Sequence, residues 1–540
     1  MGKLAANKDL REITTYFAIS AFFLVLCLVA LYSTSDFLLD ETVSPKWNFS
    51  ILVILFGIIT YCFMKLCFTG LRINSAKVVL LLLTIIALSC FSVAIHGMLQ
   101  FFDIVSSHGK FKIKGSFDNP AGFAVSLCAG FPVSLYFIKK QELLIKYIAI
   151  FSCICIIAAI ILSGSRAGII SSISILCCYF FKYPIKLRLR YIFVFICILI
   201  SMLATLYLLR KDSVTGRFLI WNCTLEMIKS KPIIGYGTGG FRANYMNFQA
   251  KYFYSNPDSD YKMIADNVKS PFNEYLLLLT NYGIMGFAFF IMITIIIIRL
   301  FRKYQTEQGR IAMLCLISIA IFSCFSYPLS YPFVWIVLLT SVFIILSSYR
   351  FPALNSLKKE GYIIIIVIIV IAYFSFKHRL EVELQWASKA RSSLKGQSDD
   401  LFNGYDSLYP YLKDNYLFLY NYAAELNYYG FFDESLIISK RCSKLWADYD
   451  LQLVIASNYF NVGQYAQSEI YYKTAAYMCP NRFVPLWGLL SIYKTTNNKL
   501  KAIEVADRIL KKDIKVPSQN VNEIKGMAKE YLKAEKIFSH

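Results

Sequence analysis

The 540-residue sequence is poor in charge, histidine, glycine and proline. Charged residues make up 17% of it, against roughly a quarter in a typical soluble domain. So few charges cannot cover a large water-facing surface, and the mean hydropathy of +0.52 points to a lipid environment. Glycine (25) and proline (14) are too scarce for a collagen-like or low-complexity chain, while 44 Phe and 38 Tyr exclude intrinsic disorder. The four histidines, His96, His108, His378 and His540, do not cluster. No Cys-x-x-Cys spacing occurs, and most of the 15 cysteines sit inside apolar runs, as in Cys153/Cys155 and Cys177/Cys178, where they act as small hydrophobes. No zinc site is expected.

The net charge is +22, from 56 Lys+Arg against 34 Asp+Glu. In a soluble protein that excess would suggest nucleic acid. In a membrane protein it marks cytoplasmic loops, and no nucleic-acid partner is expected. About eleven apolar stretches approach the length that crosses a bilayer. They lie at Ile13–Tyr32, Phe49–Phe68, Val78–Met98, Ala121–Ile138, Leu144–Leu162, Ala167–Phe181, Tyr191–Leu209, Glu274–Ile298, Ile311–Phe325, Pro332–Ser348 and Tyr362–Phe376. The basic loops alternate with acidic or short ones. Those carrying Lys139/Lys140/Lys146, Lys182/Lys186 and Arg299/Arg302/Lys303/Arg310 fall on one side, with the N-terminus, and are expected in the cytoplasm. The links at 36–45, 164–166 and 327–331, the segment 99–120 and the large loop 209–272 fall on the other.

After Lys377 the chain has no further spanning run. In the tail, Ala456, Tyr459, Gly463, Ser468, Tyr472, Ala475 and Pro480 follow the small, aromatic, Gly, small, aromatic, small, Pro order of a tetratricopeptide repeat. Ala423, Gly430, Ser435 and Cys442 precede them by one period, and Tyr493, Asn497 and Ala502 follow less completely. Small residues at such positions let two antiparallel helices pack closely; a generic helical bundle is the plainer alternative. The expected fold is all-α, a polytopic membrane helix bundle of about eleven spans with a C-terminal soluble helical-repeat domain. Its parts are a membrane domain over 1–376 containing the outer loop 209–272, a linker over 377–400 and a repeat domain over 401–540.

Polar motifs gather on the outer side, where charge beside a membrane suggests function. They are Gly115-Ser-Phe-Asp-Asn-Pro-Ala-Gly122, Ser163-Gly-Ser-Arg-Ala-Gly168, Gly216-Arg-Phe-Leu-Ile-Trp221, Lys231-Pro-Ile-Ile-Gly-Tyr-Gly237, and Lys269-Ser-Pro-Phe-Asn-Glu-Tyr-Leu276 followed by Asn281-Tyr-Gly-Ile-Met-Gly286. Taken singly, each has a plain reading: Arg166 as a headgroup anchor, Asn119-Pro and Lys231-Pro as turns, Glu274 as a charge complementing a helix N-terminus. Gly235–Gly240 lacks the Gly-Lys-Ser/Thr ending of a phosphate loop. In their joint order the motifs resemble the O-antigen ligase family of polytopic glycosyltransferases, which includes bacterial protein O-oligosaccharyltransferases.

The resemblance implies an enzyme of the bacterial inner membrane, with the N-terminus in the cytoplasm and the repeats in the periplasm. It would move a glycan from an undecaprenyl-pyrophosphate carrier to a protein hydroxyl or to lipid A-core, without a cofactor. Arg166 and Arg217 are the expected pyrophosphate ligands, because guanidinium binds phosphate bidentately where charge develops. Lys114, Asn119, Trp221, Arg242 and Lys269 are further substrate-binding candidates. Many family members carry His-Asn before the eighth span, the His being the proposed base. This chain has Phe272-Asn273, and no His lies between Asn222 and Tyr275. Asn273 and Glu274 are therefore the catalytic candidates there, with Asp266 and Asp118 as alternative bases. The competing readings are an O-antigen polymerase and a non-enzymatic membrane scaffold whose repeats recruit a periplasmic protein.

Overall fold

A computed structural model describes residues 2–67, 74–107, 111–180, 211–347, 359–394 and 401–537. The expected seventh span Tyr191–Leu209 and the basic loops around Arg72, Lys182–Arg190 and Arg350–Lys358 lie outside the described residues, as does Lys110. Among the described residues every regular element is helical. The chain divides into two compact units: residues 1–203, 272–274 and 290–388 form the first, and residues 204–271, 275–289 and 389–540 the second.

The first unit contains α1 (Gly2–Tyr32), α2 (Val43–Cys67), α3 (Ser75–Phe101), α4 (Pro120–Ile138), α5 (Leu143–Leu162) and α6 (Arg166–Phe180). The later part of α9 (Glu274–Lys303), α10 (Glu307–Ser323), α11 (Pro332–Ser347) and most of α12 (Lys359–Leu394) complete it. Seven helices among the described residues are long and apolar enough to span a bilayer: α2, α3, α4, α5, α9 and most of α1 and α12. The helices at the sixth, ninth and tenth expected spans hold 15, 17 and 16 residues. Helices of that length rise only about 22–26 Å, short of the hydrocarbon core. Their charged or proline-bearing first turns set where they begin.

Helix α4 is the central helix, buried along most of its length. Phe123, Leu127 and Phe131 pack in one core with Ile86 and Cys90 of α3, Ile156 of α5, Phe322 of α10 and Val337 of α11. Hydroxyls tie three helices together inside it. Ser318 donates to Cys128 O (2.7 Å) and pairs with Ser171 (2.8 Å), and small polar residues of this kind let helices approach in lipid. Cys128 Sγ reaches Gly168 O (3.4 Å) near the start of α6, and the Tyr179 hydroxyl reaches Leu135 O (3.0 Å) near its end. Helices α4 and α6 therefore run in the same direction, with Asn119 and Arg166 at the same end.

The second unit contains α7 (Lys211–Ser230), α8 (Gly240–Ser255), the first half of α9 and the tail. The tail helices are α13 (Leu401–Leu412), α14 (Tyr416–Tyr428), α15 (Phe432–Ser443), α16 (Tyr449–Asn461), α17 (Tyr465–Met478), α18 (Val484–Thr495), α19 (Lys499–Lys511) and α20 (Gln519–Ile537). From α14 onward each packs on the next. Ser435 Oγ donates to Ala423 O, and 33 residues later Ser468 Oγ donates to Ala456 O, both at 2.7 Å. Gly430 and Gly463 share that spacing, Asn497 follows one residue late, and all three have positive φ.

Candidate functional site

The Gly115–Gly122 stretch is held in place residue by residue. Gln100 accepts from the amides of Lys114 (3.2 Å) and Gly115 (2.8 Å) and donates to Gly115 O (3.0 Å). Lys46, wholly buried, donates to Ser33 O and Ser116 O, each at 2.8 Å. Asn119 caps α4, its carbonyl oxygen accepting from Ala121 (2.8 Å) and Gly122 (3.0 Å), while Pro120 occupies a first-turn position that needs no donor. Its amide nitrogen lies within donating reach of Asp118 Oδ2 (2.7 Å) and the hydroxyls of Tyr327 (3.0 Å) and Tyr331 (3.2 Å).

The Tyr331 hydroxyl donates to Asp118 Oδ1 at 2.9 Å. Burial, and after it the Asp118 charge, pushes this phenol far above its usual range, so it stays a donor. A Cβ on Gly122 would lie 2.5 Å from the Tyr331 ring, so the absent side chain is what admits the tyrosine.

The segment between α10 and α11 collects the other motif. Asn273 Nδ2 donates to Cys324 O (3.0 Å), and Glu274 Oε1 accepts from the Leu329 amide (3.0 Å). Phe272 lies with its ring centroid 5.7 Å from that of Tyr327. Its φ of +53° is a strained conformation for a bulky residue. Two indoles also hold the same segment: Trp47 donates to Ser330 O and Trp335 to Leu329 O, both at 2.8 Å. Lys114, Asn119, Asn273 and Glu274 are thus brought to one end of the first unit. Arg166 stands half-buried in the first turn of α6 at that same end.

The remaining expected site residues lie in the second unit. Arg217 is half-buried on α7. Trp221 donates its indole N–H to Pro271 O (3.0 Å), which ties α7 to the end of the outer loop. Arg242 stacks its guanidinium 3.8 Å over the Tyr416 ring, and its carbonyl accepts from the Ala447 amide (3.0 Å), so it holds α8 to the tail. Lys269 is exposed. Asp266, an alternative base, is paired with Arg482 at 3.1 Å.

The two glycine-rich motifs of this unit lie against each other. Tyr236 and Gly237 donate to Thr280 O (3.0 Å) and Asn281 O (2.7 Å), and Ile284 and Met285 donate to Pro232 O (2.8 Å) and Ile233 O (3.1 Å). Helix α9 breaks there, at Gly283 (φ 62°, ψ −163°). A Cβ at Gly283 would meet Ile233 O at 2.2 Å, and one at Gly235 would meet the Asn281 backbone at 2.5 Å. The Gly235–Gly240 stretch and the Asn281–Gly286 turn, separate in the sequence, form one interlocked backbone feature.

Residues 151–291 match the family model described as O-antigen ligase. This stretch, about a quarter of the chain, is an O-antigen ligase-type domain. The matched O-antigen ligase domain takes in Arg166, Arg217, Trp221, Arg242, Lys269, Asn273 and Glu274, and ends within α9. Lys114, Asn119 and the 324–331 segment lie outside it. No curated protein matches the sequence. Sequence reasoning passed over Lys46, Tyr327 and Tyr331. The signals were a lysine heading an apolar run and a Tyr-Pro-Leu-Ser-Tyr-Pro link with no charge to draw attention.

Proposed function

We propose that this O-antigen ligase-type protein transfers a glycan from undecaprenyl pyrophosphate to an acceptor hydroxyl at the periplasmic end of the first unit. The carrying observation is the convergence of three separate sequence stretches, Lys46–Trp47, Gly115–Gly122 and Phe272–Glu274, on Cys324–Tyr331. That convergence gathers two carboxylates, two amides and two phenols at the end of the bundle from which α6 presents Arg166.

In the reaction, the acceptor O–H gives its proton to a carboxylate as its oxygen bonds to the anomeric carbon. The bond from that carbon to the pyrophosphate breaks, and the electron pair leaves with the phosphate. Glu274 is the proposed base. One of its oxygens accepts from Leu329 N–H, whereas both oxygens of Asp118 are already engaged, by Tyr331 and Asn119. Arg166 and Arg217 are the proposed pyrophosphate ligands.

The polyprenyl chain is proposed to lie in the groove of ≈1220 Å³ among α1, α2 and α11, lined by Phe22, Ile54, Ile336 and Leu339 and bounded by Trp47 and Trp335. Those same indoles hold the 329–330 carbonyls. The tail is proposed to be a tetratricopeptide-like periplasmic domain, which favours a protein as acceptor or partner.

The test compares glycan-labelled extracts of cells with and without the gene, resolved into protein, lipopolysaccharide and lipid-carrier fractions. Loss from protein or lipopolysaccharide with accumulation on the carrier supports transfer and names the acceptor. Three unchanged fractions overturn it. Arg217→Ala, still inserted in the membrane, is expected to abolish transfer, and retained transfer removes its role as phosphate ligand.

A further inference from the structure

At the far end of the first unit, one helix length from Asn119, lies a second feature that the transfer reaction does not use. Helix α4 has 19 residues, about 28 Å of rise, so Lys139 at its C-cap stands roughly a hydrocarbon thickness from the site. There a cavity of ≈240 Å³ opens among α4, α6, α9 and α10. Its walls are apolar, formed by Ile298, Phe301, Leu314 and Ile317, and its rim carries Lys139, Arg302, Arg310 and Glu307.

Three cations thus face one carboxylate, and among the described residues neither Arg302 nor Arg310 is in an ion pair. Tyr136 and Tyr179 also line the cavity, with Lys139 Nζ 5.0 Å from the Tyr179 ring centroid. Tyrosines at such a depth mark the headgroup level of a membrane. Apolar walls topped by uncompensated cations and phenols match one amphiphile, an anionic headgroup on acyl chains. A wholly polar anion would leave the walls wet, and a zwitterionic lipid would leave the rim charge unbalanced.

We propose that this cavity binds an anionic glycerophospholipid of the surrounding leaflet, its phosphate between Arg302, Arg310 and Lys139 and the start of its acyl chains against Phe301 and Ile317. The positive-inside rule assigns this end to the cytoplasm. The bound lipid would brace α4, α6 and α10, whose opposite ends carry Asn119, Arg166 and Cys324. It acts as a structural ligand and takes no part in transfer.

The test uses the full chain purified in a neutral detergent, with thermal unfolding followed as phosphatidylglycerol, phosphatidylcholine or inorganic phosphate is added. Phosphatidylglycerol is expected to raise the Tm and the other two to leave it unchanged. Arg302→Ala/Arg310→Ala is expected to weaken the preference for phosphatidylglycerol over phosphatidylcholine by roughly tenfold or more. Lys65→Ala/Lys146→Ala, at the same end but away from the residues that line the cavity, keeps the preference. Glu307→Gln, which removes the one opposing charge, strengthens it and serves where the double arginine variant does not fold. Equal shifts with both lipids, a full shift with inorganic phosphate, or an unaltered preference in both cavity variants would overturn the assignment. Because the readout is unfolding, it stands apart from whether glycan transfer is detected.

Discussion

Asn119 does two jobs with one amide, and its variants separate them. Asn119→Asp keeps the oxygen that caps α4 but loses the donors to Tyr327 and Tyr331, while Asn119→Ala loses both. The alanine variant is expected to cost about 1–2 kcal/mol of stability, read as a fall in Tm, and the aspartate variant less. Both are expected to lower transfer if the Tyr327–Tyr331 link shapes the acceptor side. Glu274→Gln keeps an oxygen for Leu329 N–H and removes the proton acceptor. If Glu274 is the base, transfer should fall by about a hundredfold or more with the Tm nearly unchanged. Transfer at the wild-type rate would leave Glu274 a purely positional role. The absence of His at 272 was visible in the sequence. What it could not disclose was that Phe272 takes a left-handed backbone and lies against Tyr327, because that partner is more than fifty residues away and carries no charge.

At the scale of elements, the helices were easy to anticipate and their ends were harder. Apolar composition locates a span, but the caps fix its limits. Asn119 begins α4 and Thr306, which accepts from Gly309 N at 2.9 Å, begins α10. The expected eighth span hid a break, since an apolar run hydrophobic on both sides of Gly283 gives no periodic signal of a kink. The physical cause of the break lies in residues 232–237, which occupy the space a straight helix would need. Gly283→Ala forces a β-carbon into a carbonyl and into a conformation that side chains avoid. It is expected to destabilise by several kcal/mol and to release the 231–240 loop, measured as faster proteolysis within that loop. Gly237→Ala, with open space around its Cβ position, should strain only its own turn and be the milder variant.

Across the whole molecule, the outer loop and the tail, distant in sequence, are built as one unit. Gln249, buried on α8, accepts from the Tyr245 hydroxyl (2.8 Å) and donates to Met478 O (2.6 Å) and Asp266 O (3.0 Å). Asn481 donates towards Lys262 O, Met263 O and Ala265 O, the last at 2.6 Å. Composition had suggested a separate tail, and nothing in the loop's sequence names its partner, because these bonds run to backbone carbonyls that every residue possesses. The exposed and buried contacts of this unit should respond very differently. Arg482→Ala breaks a half-exposed ion pair with Asp266 and is expected to cost under about 1 kcal/mol. Asn481→Ala leaves buried carbonyls without a donor and is expected to cost about 1–3 kcal/mol. Paired thermal melts check this, and equal losses would mean that the loop is held by its charges.

Asp448 and Asn481 stand one 33-residue period apart, and the same short piece of loop reads both. Asn267 donates to Asp448 at 2.7 Å, and Asn481 donates to Ala265 O. The two stations are unlike, the first an acceptor and the second a donor. A slide that brought Asp448 to the second station would set its carboxylate against Ala265 O, acceptor against acceptor. The loop thus carries two unlike keys at a fixed spacing, and an insertion or deletion between Asp448 and Asn481 would let it turn only one of them.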